Sequence, residues 1–350
     1  MPPPPVAADA SPFLAACRRQ PVPHTPVWFM RQAGRSLPEY RAVRERAGTF
    51  DAMVRDPATA AEVTLQPVRR LGVDAAILFS DIVTPVQALL PGLAILPGRG
   101  PVLEEPIRTR SDLDRLRPLE PEVDIPYVLE TVRLVRAELD PSVALIGFAG
   151  APFTVASYLV EGGKSREYRH TKALMYGQPD VWAELADRLA DISLATLRAQ
   201  VAAGAQAVQV FDSWVGALSA DDYRTYVLPA SRRIFEGLAD LGVPRIHFGV
   251  GTGHLLGLMA EAGADVVGVD WRTPLDEARR IVGPDRAVQG NLDPTTLFAP
   301  DDVLDDRVRR VLAAGTGPGH VFNLGWGVLP EIDPDRLRRV VDLVHAETTT

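Results

Sequence analysis

The stretch Val143-Ala144-Leu145-Ile146-Gly147-Phe148-Ala149-Gly150-Ala151-Pro152-Phe153-Thr154 decides the fold. Residues 143–148 form a short apolar run with β-branched members, which reads as a strand buried on both faces. Small residues then make a tight connection, and Pro152 suits the first turn of a helix. The uncharged run 143–160 is interrupted by Gly147, Gly150, Pro152, Thr154 and Ser157. It is therefore a strand, a turn and a helix start, not a membrane span.

The same unit recurs in both directions along the chain. Apolar runs predict strands at 27–30, 75–80, 143–148, 207–211, 245–250, 266–270, 287–290 and 321–324. Amphipathic stretches at 57–71, 125–139, 181–203, 222–241, 253–262, 275–282, 302–314 and 335–345 predict outer helices. Eightfold strand–helix alternation predicts an α/β fold of the (β/α)8 TIM-type barrel class. A doubly wound sheet is the runner-up, but it calls for a phosphate-cradling glycine loop after the first strand. Arg31-Gln32-Ala33-Gly34-Arg35 stands there instead. The Pro-rich segment 85–121 is an excursion and not a domain boundary. The reading is one barrel domain at 21–350, preceded by a flexible Pro-rich leader at 1–20.

Composition narrows the function. There are 37 Lys+Arg against 45 Asp+Glu, a net charge of −8, which disfavours a general nucleic-acid partner. Lys164 and Lys172 are the only lysines, so position must separate recognition arginines from ordinary surface charge. A single cysteine, Cys17, excludes an internal disulfide and any site needing two thiolates, and fits a reducing compartment. The six histidines (His24, His170, His247, His254, His320, His345) show no metal-ligand spacing, so no metal is expected.

In such barrels the chemistry lies at the C-terminal strand ends. The residues expected there are Arg31, Asp81, Gly150, Asp212-Ser213, Gly251 to His254, Asp270-Trp271, Asn291, and Asn323 to Trp326. Arg31 and Arg35 in the first loop, with Arg41 and Arg44 on the next helix, read as a carboxylate or phosphate receptor. A solvated basic face paired with Glu39 and Glu45 accounts equally well for Arg41 and Arg44. Ser36 and Glu39 form a capping-box pattern. Asp81, set between apolar neighbours, is either a cap or ion-pair partner, or a site carboxylate. Tyr158 either packs in the core or turns its hydroxyl to the rim. Ser213 has no nucleophile elbow around it, so a hydrolase triad is rejected.

These residues resemble the uroporphyrinogen decarboxylase family. The likeness rests on Trp28-Phe29-Met30-Arg31-Gln32-Ala33-Gly34-Arg35 with Leu37-Pro38-Glu39-Tyr40-Arg41, and on Phe79-Ser80-Asp81-Ile82. Gly150-Ala151-Pro152-Phe153-Thr154, Glu161-Gly162-Gly163, Asp270-Trp271, Gln289-Gly290-Asn291-Leu292-Asp293-Pro294 and Phe322-Asn323-Leu324-Gly325 follow in order. The resemblance implies a cofactor-free cytoplasmic enzyme, usually a homodimer, with no membrane insertion. Its expected reaction removes carbon dioxide from the four acetates of uroporphyrinogen III to give coproporphyrinogen III. It also implies substrate binding by Arg31, Gln32, Ala33, Gly34, Arg35, Asp81, Tyr158, Ser213 and Trp326. Asp81, with Arg31 and Tyr158, is the expected catalytic group.

One position departs from the family pattern. Where the family has Asn-Leu-Gly-His-Gly, this chain has Asn323-Leu324-Gly325-Trp326-Gly327. Three accounts stay open: the histidine is dispensable, His254 compensates for it, or the chain is impaired or acts on a related substrate. A tetrapyrrole carrier and a related methyltransferase are the alternative functions.

Overall fold

A computed structural model of the protein describes residues 11–349. Nine strands are named in chain order: β1 (Ala75–Ile77), β2 (Leu93–Leu96), β3 (Gly100–Leu103), β4 (Ala144–Gly150), β5 (Ala207–Asp212), β6 (Arg245–Gly249), β7 (Val266–Gly268), β8 (Ala287–Gln289) and β9 (His320–Val321). Seven of them form one parallel sheet in the order β1-β4-β5-β6-β7-β8-β9. Strands β2 and β3 make an antiparallel hairpin inside the Pro-rich excursion. Helices pack outside the sheet, so its strands are buried on both faces and carry apolar runs.

The sheet curls until both of its edges meet one short segment. On one side the Phe322 N–H donates to Pro26 O at 2.8 Å and Trp28 N–H to Phe322 O at 3.3 Å. On the other, Asp74 N–H donates to Val27 O at 2.8 Å. The expected first strand at 27–30 reduces to a single parallel bridge, Val27 with Phe322. Side chains explain the shortening. Phe29 N–H donates to Gln32 Oε1 at 3.0 Å, and Met30 N–H to Asn323 Oδ1 at 3.1 Å. Those donors are no longer free for a ladder, so the sheet has seven strands where eight were expected.

Many of the prolines have a local role. They occupy the first turn of the helices Pro38–Ala47, Pro57–Leu71, Pro126–Glu138, Pro152–Glu161, Pro179–Ala203 and Pro334–Thr348. There the missing N–H is one that a helix could not satisfy anyway. The expected helix at 222–241 is instead two, Ala220–Tyr226 and Leu228–Gly237. Pro229 lacks an N–H and its ring would clash with the turn before it. No helix among the described residues is long and apolar enough to cross a membrane.

The reading of 1–20 as a flexible leader is corrected for its second half. Ser11 caps a short helix, Pro12–Cys17, with its Oγ accepting from Leu14 N–H at 3.5 Å. Phe13, Leu14, Ala16 and Cys17 are buried in the main core. Cys17 is therefore a packed thiol, and burial pushes its pKa far up. Residues 1–10 lie outside the described range.

Three buried polar side chains in the sheet interior are paired in series. Trp28 Nε1–H donates to Gln289 Oε1 at 3.0 Å, and Gln289 Nε2–H donates to Gln209 Oε1 at 2.9 Å. His320 on β9 is buried, with Nε2 2.9 Å from Gly290 O. Burial lowers its pKa from 6.5 to about 4, with Arg279 adding to the shift and the Gly290 bond opposing it. The folded value lies below the unfolded one, so the unfolded chain takes up this proton first as pH falls. Stability from this group is complete above pH ~6.5 and drains towards pH ~4, with an upper bound of roughly 3 kcal/mol. We expect His320→Gln to flatten the decline in melting temperature across that window. An unchanged slope in a thermal series by circular dichroism would contradict this assignment.

Candidate active site

The sequence around Arg31 folds into a tight reversal. Arg31 itself takes a left-handed backbone, φ 60°, and its side chain is exposed. Its guanidinium carbon lies 5.1 Å from the centre of the Trp326 ring, a cation–π contact. Gly327 makes room for this arrangement. A Cβ there would fall 2.5 Å from Arg31 Cδ and 2.8 Å from its Cγ. Val328 N–H donates to Met30 O at 2.8 Å, which holds the last sheet loop against the first.

The other members of the segment divide by role. Gln32 is fully buried, with Oε1 accepting from Phe29 N–H and Nε2 donating to Ala75 O at 3.0 Å. Its side chain thus braces the wall behind the Arg31 loop. Ala33 and Gly34 are half-buried and Arg35 is exposed. Arg41 braces this loop by donating to the carbonyls of Arg35 at 2.7 Å and Ser36 at 3.1 Å. One Nη of Arg44 is buried without a partner, so its donor capacity is unspent. The expected capping box does not form. Leu37 is the N-cap of Pro38–Ala47, and Ser36 Oγ is buried and unpaired.

Asp81 follows β1 after a short turn. Its Oδ1 accepts from Val83 N–H at 3.0 Å, and its own N–H donates to Thr84 Oγ1 at 3.2 Å. Burial raises its pKa, and Asp51 adds to the rise. The Val83 N–H and the Arg31 charge oppose it. Tyr158 lies within reach of the same field. Burial raises its hydroxyl pKa strongly, and the Asp81 charge raises it further, against Arg31. Arg31, Asp81 and Tyr158 are thus brought together. Among the described residues no direct ion pair joins Arg31 to Asp81, so neither charge is consumed by the other.

Tyr158 sits on the Pro152–Glu161 helix with its ring centre 4.0 Å from that of Trp214. Thr154, one turn earlier, fixes that contact. Its Oγ1 donates to Asp212 Oδ1 at 2.8 Å and accepts from Trp214 N–H at 3.2 Å. Ser213, half-buried, stands between these two residues just past the end of β5. Sequence reading missed an aromatic arc beneath it. Ring centres step from Phe148 to Phe211 (5.5 Å), to Phe248 (6.2 Å), to Trp326 (6.4 Å). Phe148, Phe211 and Phe248 come near the ends of β4, β5 and β6, which was the signal available.

Other rim groups are already engaged. Asp270 accepts from Gly251 N–H and, at 2.9 Å, from Arg272 Nη1. Asn291 Nδ2 donates to Asp270 O at 2.8 Å and Thr273 O at 2.6 Å. His254 is exposed with Nε2 2.7 Å from Leu218 O, so the imidazole offered as a substitute for the missing histidine is tied to the neighbouring connection after β5. Away from this rim, His24 and His345, which share no spacing in sequence, both meet Asp74.

An aromatic-floored rim on a curled parallel sheet, carrying an unpaired carboxylate beside an arginine and a tyrosine, defines an enzyme of the α/β type. Its relatives specify which. A family model described as uroporphyrinogen decarboxylase (URO-D) matches residues 8–347. The uroporphyrinogen decarboxylase of Streptomyces coelicolor is 65% identical over 347 residues, covering 99% of this chain and 97% of that one. That of Thermobifida fusca is 63% identical over 344 residues, covering 98% and 94%. The chain belongs to the uroporphyrinogen decarboxylase family. Among solved structures, a methyltransferase from Methanosarcina mazei superimposes with TM-score 0.77 at 21% identity, covering 95% of this chain and 97% of that one. At that identity the likeness speaks for the fold, which its neighbour shares in TIM-barrel-like form.

Proposed function

We propose that this chain removes carbon dioxide from the four acetate side chains of uroporphyrinogen III, giving coproporphyrinogen III without a cofactor. The observation that carries this reading is whole-length similarity to enzymes of that name, at 58–65% identity. The geometry of the rim supports it. The pyrrole rings of a porphyrinogen need an apolar bed, and the half-buried Phe211 and Trp326 rings, backed by the buried Phe248, offer one. Its carboxylates need cations on an acidic protein, and Arg31 and Arg35 stand exposed at the edge of that bed.

The chemistry follows from the substrate. Protonation of a pyrrole ring carbon makes the ring an electron sink. The acetate C–C bond then breaks, carbon dioxide leaves, and the bonding pair neutralises the ring cation. A second proton on the exocyclic carbon completes the methyl, and the proton first added to the ring carbon leaves, which restores the pyrrole; the net uptake is one proton for each carbon dioxide released. Asp81 faces the cation and accepts hydrogen bonds from pyrrole N–H groups. At ~4 Å and an effective dielectric near 20, that pair contributes ~4 kcal/mol. Barrier reductions of ~8–23 kcal/mol are typical, so Asp81 needs help. Arg31 supplies it by fixing the acetate and, with a trapped water, delivering the proton. Tyr158, whose raised pKa keeps it protonated, adds a neutral donor.

Pro26–Trp28 is then the eighth staves' position of a (β/α)8 ring. The enzyme works in the cytoplasm as a homodimer, and a monomeric mass in sedimentation at micromolar concentration would contradict the dimer. The decisive test is anaerobic incubation with uroporphyrinogen III, then oxidation and chromatography of the eight- to four-carboxylate porphyrins. We expect full conversion by the unmodified chain, and activity in Trp326→His within about tenfold of it, since Trp326 serves as a ring surface and an N–H donor. Binding without conversion, rescued by Trp326→His, would instead establish an impaired carrier.

A further inference from the structure

The end of the sheet opposite Asp81 carries a second cluster of chemistry-bearing side chains. Asp74 immediately precedes β1, while Asp81 lies beyond its other end. Asp74 Oδ1 is 3.0 Å from His24 Nε2, and its Oδ2 is 2.8 Å from His345 Nε2. The two imidazole centres are 4.1 Å apart, and one ligand atom from each of the three residues lies within 4.8 Å of the others. Three distant parts of the chain thus converge: the entry to the first sheet segment, the start of β1 and the helix Pro334–Thr348.

We propose that His24, Asp74 and His345 bind a divalent transition-metal ion of the zinc or nickel type. Two imidazole nitrogens with one carboxylate oxygen are the donor set such ions prefer, whereas magnesium and calcium seek oxygen alone. Three protein ligands leave a fourth position for water. The imidazole side chains are 22% and 27% exposed, which gives an ion access. The spacing also fits. Donors bound at ~2.0–2.1 Å in a tetrahedron stand roughly 3.3 Å apart; each imidazole already lies 2.8–3.0 Å from one Asp74 oxygen, and the three ligand atoms lie within 4.8 Å of one another, so small side-chain rotations bring them around one ion.

The carboxylate is prepared for this role. Val27 N–H, at 2.7 Å from Oδ2, holds the group in orientation without using all its lone pairs. Thr25 N–H donates to Thr348 Oγ1 at 2.8 Å, so the backbones that carry the two histidines are already joined. Without metal, each Nε2–H donates to Asp74. With metal, both imidazoles present Nε2 to the ion. The ion would tie together segments some 320 residues apart in the chain. Its role is structural, since the Asp81 rim lies at the other end of the sheet.

The test uses the full chain after chelator treatment, titrated with zinc alone by calorimetry and with cobalt(II) alone by visible absorption. We expect one equivalent to bind, with ligand-field bands for cobalt and a melting temperature raised by a few degrees in excess zinc. His24→Gln and His345→Gln should each weaken binding at least ~10-fold and abolish the bands, with decarboxylation retained. Absence of saturable binding overturns the proposal. So does equal binding in both variants, which would mean an adventitious ion only. Should His24→Gln fold poorly, His345→Gln on the terminal helix decides the matter by the same two readouts.

Discussion

Asp81→Asn is expected to lower kcat by about 10³-fold while raising the melting temperature. The loss corresponds to the ~4 kcal/mol of charge attraction to the ring cation, at ~1.4 kcal/mol per tenfold in rate. The gain follows from the direction of the Asp81 pKa. Burial raises it in the folded state, so the fold binds this proton more tightly than the unfolded chain does. The ionised carboxylate therefore costs stability, a cost absent below the unfolded value and growing as pH rises through the folded one. Asn keeps an oxygen for the Val83 N–H and carries no charge. The same shift places the acid limb of the pH–rate profile above the ordinary carboxylate value of ~3.9. Porphyrin chromatography and thermal melts on one preparation check both halves. Full turnover in the Asn variant would remove Asp81 from the chemistry.

Arg31→Lys is expected to lower kcat/KM by roughly 10–100-fold, and Arg31→Ala by about 10³-fold. Lys keeps the charge and tolerates the same backbone, so the smaller loss isolates the guanidinium. That group lies over the Trp326 ring, its carbon 5.1 Å from the ring centre, and can grip a carboxylate with two parallel N–H bonds. An ammonium provides neither the plane nor the fork. If Arg31 positions the acetate and helps to deliver the proton, kcat falls as well as the apparent affinity. A change confined to KM would reduce it to a binding residue, and an unaltered kcat/KM in the Lys variant would take it out of the site.

The legible parts of this chain were those where one short segment carries its own pattern. Residues 57–71 and 275–282 were read as helices to the residue, because apolar period and flanking punctuation agree there. The strands 207–211 and 245–250 were read to within a residue. The rim grouping of Arg31, Asp81 and Tyr158 followed from strand ends and family motifs. What was not legible depends on side chains reaching across the chain. The bond from the Gln32 side chain to Ala75 has no local signal. The strand at 27–30 was cut short by Gln32 and Asn323, residues outside its own run. Pro12–Cys17 was lost because a six-residue helix has too few turns to show a period beside a string of prolines. His24, Asp74 and His345 have no spacing at all in sequence terms, and only the closing of the sheet brings them together.

That closing sets an order of events for a chain made from its N-terminus. Val27 pairs with Phe322, Met30 N–H needs Asn323, and Met30 O needs Val328. The loop between them spans almost the whole protein, and joining its ends is the slowest kind of contact to form. Until those last residues leave the ribosome, the Arg31 loop has only its β1 side to rest on, and Trp326 does not yet exist. A nascent chain can bury most of its strands and still lack a working rim. Late truncations should therefore yield protein with substantial secondary structure and no turnover, because the final segment completes the wall against which the first functional residue is set.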